Sequence, residues 1–475
     1  MSLTGRETKV SEKTPGLHVL PVELLGGIFV VASKPLEVAP QNKEIPCLDL
    51  TALTIGHVCQ AWRALIRSLP EIWASITIYH PTARTVEAVK FYLELSGPYY
   101  PLSIVLNQYI QDPISYLSRM AVEALVEEQK YVVDIIDLWT RHAARWRSIK
   151  FNIFDGPTAT IPQLLVNIDP CHMQLLESVD LKFDWPDEST QKFWHVIQSS
   201  PVLRSVVWDQ KFPPRIPGSP KSTSVARLYQ LTSLSLVKPI TIDDVIQCLS
   251  WTPNIRQLLI NILLAPAVAT TVYEITTLHH LNSLCIGVCE SVDPLFDRLK
   301  TPSLSHVRCY EMEPTAPPAL TRLISRSSCR LEDLKLKFSG VTANGLLEMI
   351  TTLSPALTCL STLALELSSP DVYITETLVQ QLMPKFDPHN KPVANSISFP
   401  ALKRLMLGNC SVSPDCIAWL VVCRQLAGVL LRSLVVKIEN SQQTKRFHTT
   451  VKEYLGRENV KRLLGGEQKT VITIC

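Results

Sequence analysis

Proteins that are secreted, hold a zinc ion or cross a membrane each need features that this chain of 475 residues has little of. The first residues, MSLTGRETKVSEKTPG, are polar and charged and carry no apolar core, which predicts no secretory signal and an intracellular protein, cytoplasmic or nuclear. The 13 cysteines are an odd number, and no two form a Cys-x-x-Cys pair; the nearest spacing is Cys285 to Cys289, so reduced buried thiols are expected and no metal site. The longest uncharged apolar stretch, Gln257 to Tyr273, is broken by Asn261 and Pro266 and is too short to span a bilayer. The hydrophobic segment from Cys416 to Ile438 is interrupted by Arg424, Arg432 and Lys437. No membrane contact is predicted. Net charge is only +3, and the basic residues are scattered along the chain, which argues against nucleic acid as a partner. No nucleophile elbow, phosphate loop, metal-ligand cluster or dinucleotide fingerprint occurs, so neither catalysis nor a cofactor is expected.

Aromatic residues are also few, at 7%, yet 46% of the chain is hydrophobic. The core must therefore come from Leu, Val and Ile, and a chain of this length needs several domains or a repeat array that grows by addition. Residues 1–16 are expected to be a disordered tail.

The segment Leu20-Pro21-Val22-Glu23-Leu24-Leu25-Gly26-Gly27-Ile28-Phe29 reads as a helix with Pro21 at its first position and with Leu24, Leu25 and Ile28 on one face. A second amphipathic helix runs from Val58 and Cys59 through Trp62, Arg63, Leu65, Ile66 and Leu69, where Pro70 stops it ahead of Trp73. Between them, Pro35, Pro40 and Pro46 mark a loop insertion over about residues 33–47, with a middle helix expected around Leu48 to Ile55. Gly26 and Gly27 each cost the first helix roughly 1 kcal/mol relative to Ala.

The combination Leu-Pro-x-Glu-Leu-Leu-x-x-Ile-Phe, Val-Cys-x-x-Trp-Arg-x-Leu-Ile and Pro-x-x-Trp resembles the F-box, a three-helix module assigned here to residues 17–77. The resemblance implies that Leu20, Pro21, Glu23, Leu24, Leu25, Ile28, Phe29, Val58, Cys59, Trp62, Arg63, Ile66, Pro70 and Trp73 build the module or touch the adaptor subunit of a cullin-type ubiquitin ligase.

Residues 78–145 read as a connecting region. It carries a strand at Ile76 to Tyr79, a helix at Thr85 to Ser96, a strand with Leu102, Ile104 and Leu106 inward, and a long helix over about 116–145 with His142 on its face. Its segments Tyr92-Leu93-Glu94-Leu95-Ser96-Gly97, Pro101 to Leu106 and Arg145-Trp146-Arg147-Ser148-Ile149 resemble F-box proteins of mushroom-forming (basidiomycete) fungi.

From residue 146 to about 440 a pattern of apolar-x-x-apolar-x-apolar recurs, starting at Trp146, Leu176, Leu203, Leu231, Ile255, Leu281, Leu304, Leu331, Leu360, Leu402 and Leu431. Helices are expected between them at Gln191 to Ser199, Asp243 to Leu249, Leu295 to Leu299, Leu320 to Ser325, Leu346 to Leu353, Thr377 to Leu382 and Cys416 to Val422. Strand and helix alternating at roughly 23 to 30 residues is the plan of a leucine-rich-repeat array, whose units stabilise one another by stacking. The match to the consensus is loose: Cys289 and Cys410 occupy the position expected to be Asn or Cys, where other repeats have Asp184, Leu263 or Ser339. The long step from Leu360 to Leu402 predicts an insertion around Pro384 to Pro400. Pleating places Lys150, Asp180, Val207, Ser235, Leu259, Cys285, Arg308, Lys335, Ala364, Met406 and Val435 on a concave face, beside a row in which Ser recurs. Residues 441–475 are expected to form a cap, with a helix from about Thr444 to Leu464, and a tail in which Val471 to Ile474 pairs locally or stays loose.

The fold expected is α/β, α+β overall: a three-helix F-box followed by an irregular solenoid with parallel strands inside. The resemblance implies a substrate receptor of an SCF-type (cullin-RING) ligase, with adaptor and cullin on one side and an unidentified target protein on the other. Three alternatives stay open: a scaffold of the same build that acts without ubiquitin transfer, a plain repeat protein whose N-terminal match is accidental, and an enzyme of atypical fold, which would require a deep pocket with convergent ionisable groups.

Overall fold

The computed structural model describes residues 20–33, 51–79, 81–108, 119–153, 160–182, 187–209, 228–265, 274–289, 291–312, 317–339, 341–368, 373–389, 391–393, 396–437, 449–453, 455 and 471–474. The expected tail at 1–16 and most of the expected insertion at 33–47 lie outside them. The chain forms two compact units, residues 1–176 and 177–475, so the first repeat motif, at Trp146, belongs to unit 1.

Unit 1 begins with α1 (Val22–Ala32), α2 (Thr51–Gly56), α3 (Gln60–Arg67) and the single turn α4 (Pro70–Trp73). Then come β1 (Ser75–Tyr79), α5 (Ala83–Leu95), β2 (Leu102–Asn107), α6 (Arg119–Thr140), β3 (Trp146–Asn152) and α7 (Thr160–Val166). β1, β2 and β3 pair in parallel, Ile76 against Ile104 and Ile104 against Ile149, with all three side chains buried. The long helix stops at Thr140, short of the expected Arg145, and a 3-10 turn at Ala143–Arg145 follows. His142 caps that turn and lies beyond the helix instead of on its face.

Unit 2 alternates strand and helix: β4 (Ser178–Lys182), α8 (Asp187–Gln198), β5 (Ser205–Trp208), β6 (Ser233–Leu236), β7 (Ile240–Thr241), α9 (Ile242–Trp251), β8 (Gln257–Leu264), β9 (Thr276–Thr277), β10 (Ser283–Cys289) and α10 (Asp293–Arg298). It continues with β11 (Leu299–Lys300), β12 (His306–Met312), α11 (Pro317–Ser327), β13 (Asp333–Phe338), α12 (Ala343–Leu353), β14 (Thr362–Leu367), α13 (Glu376–Gln381), β15 (Arg404–Leu407), α14 (Pro414–Leu426), β16 (Ser433–Val436) and β17 (Val471–Ile474). Apart from the short pair β9 and β11, and β7 at the side of β8, the strands line up in one parallel sheet in the order β4-β5-β6-β8-β10-β12-β13-β14-β15-β16-β17. The architecture is repeat-like α/β on a large parallel sheet.

Every repeat motif from Leu176 onward lies two residues before a strand of this sheet. The first apolar residue of each motif is buried ahead of the strand, and the two that follow point into the core, as Leu331, Leu334 and Leu336 do. Alternation then decides the rest: β13 runs intermediate, buried, intermediate, buried, intermediate, buried. Neighbouring helices α9 to α14 pack on one another in sequence and cover that buried side. A backbone ladder locks the register. The carbonyl of each lead-in residue accepts two N–H groups from the next repeat: Glu332 O from Ser361 and Thr362, at 2.9 Å each, and Ser361 O from Lys403 and Arg404, at 2.8 and 2.9 Å. The same pair of bonds recurs from Glu177 to Lys403.

The expected insertion before Leu402 is present. Its turn is tied by an antiparallel bridge between Phe386 and Pro392 and held to α14 by Arg424, which is fully buried and donates to Leu382 O, Ser398 O and Phe399 O at 3.1, 3.0 and 2.9 Å. The segment Val471 to Ile474 is β17, paired in parallel with β16, Ser433 against Val471, so it extends the sheet. Of the expected C-terminal helix, residues 449–453 and 455 are helical; the rest lies outside the described residues.

Candidate functional site

The first candidate surface is built on α1. Pro21 is its N-cap, one position earlier than the sequence suggests, and its carbonyl accepts the Leu25 N–H at 3.0 Å. Glu23 lies in the first turn, where a carboxylate suits the positive end of the helix dipole. Leu25 and Phe29 face inward, 9% and 3% exposed, and Phe29 meets the half-buried Trp62 of α3 with ring centroids 4.7 Å apart. Leu24 and Ile28 face outward, at 59% and 48% exposure, so the single face expected for Leu24, Leu25 and Ile28 divides in two. Residues 24, 28 and 31 recur at steps of four and three, which sets them within about a quarter turn of one another at roughly 100° per residue. The outward stripe of α1 is therefore Leu24, Ile28 and Val31; Leu20, just ahead of the helix, and Val58, between α2 and α3, are exposed as well.

The remaining motif residues hold this helix up. The Cys59 thiol caps α3 by accepting the Trp62 N–H at 3.4 Å, and Arg63 Nε donates to Gly56 O at 3.0 Å, closing the end of α2. Ile66 is buried, and its carbonyl takes the buried Trp73 Nε1–H at 2.8 Å. Pro70 starts α4, where a missing N–H leaves no bond unmade. Trp73 stands edge-on to Phe91 and Tyr92, at 5.6 and 5.0 Å, and so joins the helical module to α5. A cavity of about 100 Å³ lies among Ala52, Gly56, Arg63, Ile66, Trp73 and Phe91. The motif thus separates into a buried set, Leu25, Phe29, Ile66 and Trp73, and an exposed set that includes Leu20, Pro21, Glu23, Leu24, Ile28, Val58, Arg63 and Pro70. Val31 was missed by motif matching. Its signal is the spacing of seven from Leu24 on a helix that is apolar all round.

The second candidate surface is the open face of the unit 2 sheet. The row expected from pleating falls in register from strand to strand: Asp180, Val207, Ser235, Leu259, Cys285, Arg308, Lys335, Ala364, Met406 and Val435 each stand opposite the next. Lys150 stands in the same position on β3 of unit 1. Most are half-exposed; Leu259 is 40% exposed and Ala364 is buried at 3%. Burial pushes the Cys285 thiol up, and the nearby Arg308 only partly opposes that shift. Burial likewise raises Cys309 far above the ordinary thiol range and Cys410 to about 12. Among the described residues no group of three or more His, Cys, Asp or Glu side chains could hold a metal ion, and no helix is long and apolar enough to cross a membrane.

No protein-family model matches the chain, and no curated protein matches it. Among solved structures, a protein from Bacteroides fragilis is similar at a TM-score of 0.29 and 13% identity, over 65% of this chain and 70% of that one, too distant to carry an argument.

Proposed function

We propose that this protein is the substrate-recognition subunit of an SCF-type ubiquitin ligase: an F-box formed by α1 to α4 docks on the adaptor, and a leucine-rich-repeat array presents the target. The observation that supports it best is the stripe of Leu24, Ile28 and Val31 on a helix whose other side is already satisfied by Leu25 and Phe29. Contiguous apolar surface of this kind marks a protein interface, and Leu24 and Ile28 within it are motif positions that resemble the adaptor-binding residues of the F-box. The array supports the second half of the reading through its mixed polar and apolar open face, which suits a protein better than a small anion.

The chain would act by proximity, holding acceptor lysines near the ligase's catalytic subunit and raising their effective concentration. Affinity purification of the full chain tests this: adaptor and neddylated cullin should both co-purify. Leu24→Asp with Ile28→Asp should abolish that capture while leaving the fold intact, because both side chains point to solvent. Capture that survives the double substitution overturns the reading, and a partner recovered without cullin favours the scaffold alternative.

A further inference from the structure

Basic residues that are scattered along the sequence gather on one end of the open sheet face. From β5 to β10 the outward positions carry Ser, Val, Gln, Leu and Cys and no charge. From β12 to β16 they include Arg308, Lys335, Lys337 and Arg404, with Lys437 one residue past β16, against the carboxylates of Asp333 and Glu366 and the exposed Glu311 at the irregular end of β12. Arg308 and Asp333 stand 3.7 Å apart, longer than a hydrogen bond, and the buried Nε of Arg308 has no acceptor. Lys437 pairs with Glu366 at 3.3 Å. Lys335, Lys337 and Arg404 have no carboxylate partner among the described residues. Between these cations Ala364, Met406 and Val435 lie side by side in one register row, forming an apolar floor.

We propose that this end of the face holds an extended acidic peptide in which carboxylates alternate with small apolar side chains. The proposal rests on reading unit 2 as a target-binding array, and it names the chemical class of target. Five strands at about 4.8 Å spacing span roughly 19 Å, the length of about six residues of extended chain at about 3.3 Å each. Alternation puts the peptide's carboxylates on one side, so all of them turn toward the sheet together and reach the three cations that have no carboxylate partner among the described residues. Nucleic acid fits less well, because the floor is aliphatic and, among the described residues of these five strands, Tyr310 on β12 is the one exposed aromatic ring, too few for successive bases to stack on.

The test uses the purified full chain and fluorescence anisotropy with three labelled probes: a peptide alternating Asp or Glu with Leu or Ala, its Asn/Gln counterpart, and single-stranded oligo-dT. The acidic peptide should bind about tenfold or more tightly than its neutral counterpart, and more weakly as salt is raised from about 50 to 200 mM. Lys335→Glu with Arg404→Glu should weaken it by about tenfold or more, and Lys335→Gln with Arg404→Gln by an intermediate factor, with melting curves unchanged. Reversal off the face, Lys90→Glu with Lys192→Glu, should change it less than about twofold. Equal binding of the neutral peptide, an equal loss from the off-face pair, or tighter binding of oligo-dT overturns the proposal. A chain that prefers the acidic peptide yet captures no adaptor overturns the receptor reading alone, whereas one that captures adaptor without the preference overturns this proposal alone.

Discussion

Arg424 shows how a single residue can invert its apparent role. In the sequence it interrupts a hydrophobic segment, yet it is the charged side chain among the largest fully buried ones, and it faces three carbonyls and no carboxylate. One of them belongs to Phe399, buried and held at φ 53°, a left-handed conformation that a bulky residue seldom adopts. Periodicity cannot reveal this, because two of the three carbonyls, those of Ser398 and Phe399, come from an insertion that has no period. Burial pulls the guanidinium down to about 10, still charged at neutral pH. Arg424→Ala should destabilise unit 2 by about 3 kcal/mol or more through its orphaned carbonyls, and Arg424→Lys by less, as read from urea midpoints. The buried thiols give a pH dependence of known sign. Burial raises Cys410 to about 12 and Cys416 and Cys423 to about 11, so above pH 9 the unfolded chain loses these protons first. Their contribution is complete below pH 9 and is lost as pH rises to about 11–12, and Cys410→Ala should flatten that slope in pH-dependent melting.

At the level of helices and strands, spacing locates an element but leaves its rotation open. Leu24, Leu25, Ile28 and Phe29 define one broad apolar arc, and packing against α2, α3 and α4, with Phe29 on Trp62, turns Leu25 and Phe29 inward. Leu25→Asp should therefore unfold the module, where Leu24→Asp should not; circular dichroism with limited proteolysis separates the two. Strands were easier to read, since Leu334 and Leu336 alternate on one side and Lys335 on the other whatever the neighbours. Close contact between strands was not legible. Gly287 stands where an added Cβ would sit 2.1 Å from Asn261 O, a backbone atom with no freedom to retreat. Gly287→Ala should cost several kcal/mol, on the order of 3, and lower the melting temperature, whereas the open position of Gly27 should accept Ala with a gain of about 1 kcal/mol. Arginines also clamp the helix layer: Arg326 donates to Phe296 O and Leu299 O at the end of α10, and Arg322 grips Asp297 of α10 with two bonds of 2.9 and 2.8 Å.

For the molecule as a whole, the repeat period was legible from Leu176 to Leu431 because each unit repeats the same burial demand. The last strand was not, because Val471 to Ile474 is separated from β16 by a segment without the motif. Deleting residues 471–475 should uncover the backbone edge of β16, lower the melting temperature of unit 2 and increase light scattering at rest. One feature of the array reaches further. The ladder from Glu177 to Lys403 is carried by main-chain N–H groups, with the hydroxyls of Thr232, Ser305 and Ser361 adding bonds to the same carbonyls, so its main-chain rungs form with any residue but proline. Geometry is thereby uncoupled from surface chemistry: mutation can repaint the outward positions one by one, changing what the protein recognises while the frame that displays it stays in place.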